Sequence, residues 1–147
     1  LLEPGRSIIA DAGMLIANTL YVKRQAGQTF VIVDASMSEM IRPALYQAHH
    51  EIIPVIEPGE TIRQTAQVVG PVCETTDVLG RDILLPKPIP GMLLAVMNAG
   101  AYGMVMASNY NQRPRPPEVV VMPDGHSWQV ARRRETWDDM LRLEASL

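Results

Sequence analysis

Apolar and polar residues along this chain change places in short bursts, without the three-to-four-residue recurrence of long amphipathic helices. Alternating or β-branched runs occupy Gly13 to Val22, Thr29 to Asp34, Glu51 to Val55, Thr65 to Val69, Met92 to Met97, Glu118 to Met122 and Trp128 to Arg133. Turn-forming residues separate them: Gly27-Gln28, Glu57-Pro58-Gly59-Glu60, Gly70-Pro71, Gly80-Arg81, Ile89-Pro90-Gly91, Arg113 to Pro117 and Pro123-Asp124-Gly125. About seven short strands at this spacing predict a mostly β fold, a β-sandwich or Greek-key, barrel-like domain. Asp124-Gly125 between the last two strands predicts a hairpin, because both residues tolerate the backbone such a turn needs.

Two short helices interrupt the strands. The first is predicted over Pro43 to Ala48, with proline at its first position and Arg42 held outside it. Ala44, Leu45 and Ala48 would form its apolar face, while Arg42 and Tyr46, four residues apart, point together off that face. The second is predicted over Trp137 to Leu143. Thr136 precedes Asp139 by three residues, and Asp138 and Asp139 fall in the first turn, a capping-box pattern with favourable dipole charges. Trp137 and Leu141 would dock this helix.

Composition narrows the class. The chain has 147 residues, 47% hydrophobic and 20% charged, with 10 Gly and 12 Pro. One domain of this length buries roughly 68–70% of its unfolded surface, so it needs no staples. The composition excludes a disordered chain. A net charge of −3 leaves no electrostatic footprint for nucleic acid. The single cysteine, Cys73, excludes an internal disulfide framework and a cysteine-based zinc finger. Pro88 to Gln112 carries no charge, but Pro90, Asn98, Gly100, Gly103, Asn109 and Asn111 break it, so the reading is a soluble domain with no membrane partner. The chain starts at Leu1 with no targeting pattern, and reads as a fragment or a processed product.

Five places could carry chemistry, and each also has an ordinary reading. Glu3-Pro4-Gly5-Arg6 could let backbone N–H groups approach an anion, or could be a plain turn with a solvated arginine. Cys73-Glu74-Thr75-Thr76-Asp77 surrounds a thiol with negative charge, which favours the neutral form; Cys73 is then a proton donor rather than a nucleophile, or a buried core residue. Gly100-Ala101-Tyr102-Gly103 strips side chains from around a tyrosine, freeing it for a ligand, or forms a tight turn that packs the ring inward. His49-His50 is an adjacent pair that does not share a face, so no metal site is assigned. Arg132-Arg133-Arg134 reads as strand-end solvation with pairing to Glu135 at the helix entry. Residue types and spacing give no reaction beyond this.

Taken in order, several segments resemble a known family. Glu3-Pro4-Gly5-Arg6, Arg42-Pro43-Ala44-Leu45-Tyr46, Gly70-Pro71-Val72-Cys73-Glu74, Gly100-Ala101-Tyr102-Gly103 with Ser108 to Pro114, and Arg133-Arg134-Glu135-Thr136 follow one another. Their order and spacing resemble the C-terminal portion of the diaminopimelate decarboxylases, pyridoxal-phosphate enzymes of the alanine-racemase-like fold type.

The resemblance implies a C-terminal β-domain, residues 1–147, of an enzyme whose N-terminal (β/α)8 barrel is absent, with residues 1–12 as the end of that barrel. It implies a cytoplasmic carboxy-lyase of lysine biosynthesis that converts meso-2,6-diaminopimelate to L-lysine and carbon dioxide. It also implies pyridoxal 5′-phosphate as cofactor and a head-to-tail homodimer with sites at the interface. Glu3, Pro4, Gly5, Arg6 and Tyr102 match cofactor-binding positions. Arg6, Arg42, Tyr46, Glu74 and Tyr102 match substrate-binding positions. Cys73 matches the proton donor, and with Glu74 it would enter the partner subunit's site. Thr76 departs from the glycine usual at its position. The two lysines, Lys23 and Lys87, match no Schiff-base motif, so the fragment alone is expected to be inactive. The alternatives are a decarboxylase for another basic amino acid, which Glu74 and Arg42 disfavour, or a non-catalytic binding or dimerisation module of the same fold.

Overall fold

A computed structural model describes residues 1–57, 59 and 62–144. It contains two compact units, Leu1–Ala107 and Ser108–Leu147. The first holds α1 (Arg42–Tyr46) and six strands: β1 (Leu15–Gln25), β2 (Gln28–Val33), β3 (Ile52–Pro54), β4 (Arg63–Val69), β5 (Val78–Pro86) and β6 (Leu93–Val96). They form one sheet in the order β3-β6-β1-β2-β4-β5. Only β2–β4 is parallel among these pairings.

The alternation read from the sequence becomes an inside and an outside. Ala17, Val31, Val33, Ala66, Val68, Leu79, Ile83, Leu85, Leu94 and Val96 point into one core with Met40 and Ile52. Every other strand position then faces outward, as a one-sided sheet requires. The two edge strands approach each other: a Cβ on Gly80 of β5 would lie 2.7 Å from Ile52 Cδ1 of β3. The sheet is thus a nearly closed six-stranded barrel, and the mostly β expectation holds.

Several details differ from the sequence reading. Gly80-Arg81, expected as a turn, lies inside β5. The missing side chain at Gly80 gives room for Ile52 and Ile83, and bulges with Asp82 at φ +53° let the strand bend there. β1 continues past Val22 to Gln25, because Ala26 and Gly27, both at positive φ, close a two-residue hairpin one position earlier than expected. Helix α1 includes Arg42: proline occupies the second position, where its lacking N–H costs no helix bond. Leu45, assigned to the apolar face, is exposed. Of the turn expected at Glu57 to Glu60, Pro58 and Glu60 lie outside the described residues.

The second unit carries the predicted hairpin, β7 (Glu118–Val121) with β8 (Trp128–Arg132), and α2 (Trp137–Leu141). Asp124 shapes the turn: its carboxylate accepts from the backbone N–H groups of His126 and Ser127, both at 2.8 Å, and Gly125 takes φ +71°. The capping box forms as expected, Thr136 accepting from the Asp139 N–H while Asp139 accepts from the Thr136 N–H. Trp137 and Leu141 do not dock; both are more than half exposed. Glu135 pairs with Arg115 at 3.0 Å rather than with the arginine run, and Arg133 pairs with Asp139 instead. Among the described residues no helix is long and apolar enough to cross a membrane.

Candidate functional site

The first unit gathers three of the predicted residues around one guanidinium. Helix α1 sets Arg42 and Tyr46 one turn apart, and the Arg42 Cζ lies 5.7 Å from the Tyr46 ring centre. Tyr102 arrives from the turn after β6, the strand paired with β3, and lies 5.6 Å from the same atom. Both distances are within reach of a cation–π contact. The rings remain about half exposed, at 59% and 45%, so the group opens outward. The Arg42 Nε is buried and has no hydrogen-bond acceptor. A buried guanidinium N–H without an acceptor is uncommon, and it suits an acidic group supplied by a ligand.

Tyr102 owes its place to the turn that carries it. It sits at φ +59°, a conformation a non-glycine residue adopts only when its surroundings fix it. Gly100 supplies that fixing. A Cβ there would meet the Ile9 carbonyl oxygen at 2.1 Å, so only glycine lets the N-terminal segment lie against the turn. The Gly100 N–H donates to Ala10 O at 3.0 Å, and the Ala99 N–H to Gly13 O at 2.8 Å. These bonds moor residues 9–13, and with them the 3-10 turn Arg6–Ile8, beside Tyr102. The Glu3-Pro4-Gly5 stretch just before it is exposed, and nothing lies within 4 Å of where a Gly5 Cβ would stand, so its backbone can be approached closely.

Cys73 and Glu74 occupy a different turn. Cys73 is exposed, which removes the core-cysteine reading. Asp77, read from the sequence as a charge beside the thiol, is buried and clamps the loop. Its carboxylate accepts from the N–H of Met37 at 2.7 Å and of Val72 at 2.9 Å. Gly70 is required beside it, since a Cβ there would lie 2.3 Å from Asp77 Oδ2. Cys73 is therefore presented at the surface by a turn whose base is pinned. Between this turn and α1 lies a cleft of about 500 Å³, bordered by Pro43, Gln47, His49, His50, Thr76 and Arg81.

His50, which the sequence places only in an adjacent pair with no metal site, is buried in the structure. It is 1% exposed, and its Nδ1 lies 2.8 Å from the Met97 carbonyl oxygen. Burial pushes its pKa below the usual histidine value, and the positive charges of Arg42, Arg6 and His49 push it the same way against the Met97 hydrogen bond. Arg6 and Arg42 are thus electrostatic neighbours of one buried imidazole. The one signal in the sequence was position: His50 directly precedes the β3 run, where an inward-facing polar residue needs a partner.

A family model described as the pyridoxal-dependent decarboxylase C-terminal sheet domain matches residues 8–100. The chain is 47% identical, over its whole length, to a diaminopimelate decarboxylase of Vibrio cholerae, of which it covers 34%. It superposes on diaminopimelate decarboxylase from Helicobacter pylori complexed with L-lysine with a TM-score of 0.87 and 44% identity, covering 97% of this chain and 34% of that one. For the M. jannaschii enzyme in complex with L-lysine the TM-score is 0.91 at 39% identity, covering 99% and 32%. The chain thus spans about a third of the length of the relatives it matches. With the match running from the Arg6–Ile8 turn through α1 and the Cys73 loop to Gly100, the chain belongs to the pyridoxal-dependent decarboxylases, as a C-terminal sheet domain of that family.

Proposed function

We propose that this chain is the C-terminal domain, residues 1–147, of a cytoplasmic diaminopimelate decarboxylase, and that it supplies substrate and cofactor contacts to a site completed by an N-terminal barrel and a partner subunit. The observation that carries the reading is Arg42: a guanidinium flanked by Tyr46 and Tyr102, with a buried Nε that lacks an acceptor. A substrate with a second carboxylate provides that acceptor, through a bidentate, charge-assisted pair. The L-lysine complexes of the relatives support the same chemistry, since lysine is diaminopimelate without one carboxylate.

The residues also fit pyridoxal phosphate. The open backbone at Gly5 and the neighbouring Arg6 suit a phosphate, and the half-exposed Tyr102 ring suits contact with a flat heterocycle. When bound, that cofactor supplies an electron sink for the carbanion left by decarboxylation. This chain's residues do the rest. Arg42 and Tyr46 hold the distal carboxylate, Glu74 takes an ammonium group of the substrate, and the exposed Cys73 thiol delivers a proton to the carbon that lost carbon dioxide. Cys73 and Glu74 stand on a turn apart from Arg42, an arrangement suited to serving the site of a partner subunit in a homodimer.

The test is Arg42→Lys in the full-length enzyme. Lysine keeps the charge and loses the planar fork. The expected loss in kcat/KM for diaminopimelate is about 2–4 kcal/mol, as for a charged hydrogen bond removed from a buried partner. Tyr46→Phe should lose less, since one neutral hydrogen bond is at stake. An Arg42→Lys enzyme with unchanged kcat/KM overturns the substrate assignment.

A further inference from the structure

Arg42 and Tyr46 reach the site from the segment that enters β3, and Tyr102 reaches it from the segment that leaves the neighbouring β6. The two arms meet at a single point. The chain leaves α1 through Gln47 at φ +54° and runs directly into His50 and Glu51. The other arm leaves β6 at Met97 and turns through Asn98 at φ +60° to Tyr102 at φ +59°. Between the arms stand two hydrogen bonds: the Met97 N–H donates to Glu51 O at 2.8 Å, and the His50 ring contacts Met97 O at 2.8 Å.

A carbonyl oxygen only accepts, so His50 Nδ1 carries the proton and donates. That assigns the tautomer and leaves Nε2 as a bare acceptor, buried without a partner. An imidazole in this place is a poor choice for packing alone, because a buried polar atom left unpaired is a cost that an apolar side chain avoids. What the ring provides is the Nδ1–H bond to the start of the Tyr102 arm. A protonated ring would also set a further positive charge beside Arg42 and Arg6, and burial opposes that.

We infer that His50 is a positioning residue: by tying the exit of α1 to the Met97 carbonyl, it fixes the spacing of Arg42 and Tyr46 from Tyr102. This rests on the reading of Arg42 as the contact for the distal carboxylate. His50 touches neither substrate nor cofactor in this scheme, and acts through the placing of Arg42 and its two tyrosines at that one contact. Small misplacement of a binding group is enough to matter, since an interaction made equally in the ground and transition states, once weakened, shows as a raised KM.

Two amides of equal polarity separate the positioning role from packing. In His50→Asn the side-chain nitrogen falls near the Nδ1 position and can still donate to Met97 O. In His50→Gln it falls near the Nε2 position and cannot. The full-length enzyme is assayed for kcat and KM with diaminopimelate, and for L-lysine affinity by calorimetry, with thermal melts alongside. His50→Asn should stay near the parent, while His50→Gln raises KM and weakens L-lysine binding by about tenfold with little change in kcat, a pattern of lost ground-state binding. His50→Gln combined with Arg42→Lys should be no worse than Arg42→Lys alone, because both act at one contact. Equal KM values for the Asn and Gln variants, or additive effects in the double variant, overturn the inference. An Arg42→Lys enzyme with unchanged KM overturns it together with the substrate reading. A raised KM for Arg42→Lys beside an unchanged one for His50→Gln overturns the positioning role alone. If His50→Gln yields no folded enzyme, His50→Ser replaces it: too short to reach Met97, it should show the same rise in KM, and a normal KM overturns the inference.

Discussion

At the scale of residues, Glu135 is a heavily committed carboxylate. It accepts from the Arg115 backbone at 2.9 Å, from the Arg115 guanidinium at 3.0 Å and from the Asn109 amide at 2.6 Å. These bonds, led by the Arg115 side chain, hold its pKa down to about 2 from an ordinary 4.5. A carboxylate whose folded pKa is depressed lends stability above its unfolded pKa, and that stability drains away as pH falls through the folded value. The second unit should therefore loosen between pH 4.5 and about 2. Chemical-shift or hydrogen-exchange measurements on residues 109–139 should show this, and Glu135→Gln should flatten the dependence while weakening the unit at neutral pH. A Gln variant with the parent's acid profile contradicts the account. Residue-scale reading of the sequence succeeded where spacing is local: Arg42 and Tyr46 share a helix turn and were paired on that basis. Spacing could not place Tyr102 beside them, 56 positions beyond Tyr46, since that neighbour is chosen by the register of β6; only the resemblance grouped it with them. His50 was missed for a related reason: its partner, the Met97 carbonyl, is a backbone atom on another strand.

At the scale of elements, α2 has little packing to hold it. It has five residues, and Trp137 and Leu141 are largely exposed, so packing within the described chain contributes little. Isolated helices this short do not hold in water. What holds α2 is the reciprocal cap between Thr136 and Asp139, with the Arg133 guanidinium on the same carboxylate at 2.5 and 2.6 Å. Thr136→Ala should therefore cost about 0.5–2 kcal/mol, and Thr136→Ser much less. Amide exchange across Trp137–Leu141 reads this directly; equal protection in the Ala and Ser variants would count against the cap. This helix was legible in the sequence, because a capping box is a local pattern of residue types. Strand β5 was not. Gly80-Arg81 has the composition of a turn, and only the approach of Ile52 from another strand shows why glycine stands in a strand there.

At the scale of the whole molecule, the proposed function leaves this chain without a lysine placed to anchor the cofactor. Its two lysines are Lys23, exposed in β1 opposite Phe30, and Lys87, just after β5. Neither lies on α1 or the Tyr102 turn. Incubated with pyridoxal phosphate and diaminopimelate, the 147-residue chain should release no carbon dioxide; turnover in the common range of about 1–10³ s⁻¹ would refute this. Fold class was legible because apolar or β-branched runs mark five of the first unit's six strands, β5 being the exception. The expectation of a barrel and a partner subunit rests on resemblance alone, since no local pattern encodes either.

The approach of Ile52 to Gly80 has a consequence for how the protein behaves in a crowded solution. An open sheet ends in two rows of unpaired N–H and C=O groups, which recruit strands from other molecules. Here the outer strands β3 and β5 face one another across that contact instead of facing solvent. β3 is three residues long and ends in Pro54, while β5 bends at Asp82 and ends in Pro86. A proline cannot donate to an incoming strand, and a kinked edge offers it no straight template. The sheet therefore guards itself against edge-to-edge aggregation with the same glycine that made β5 look like a turn.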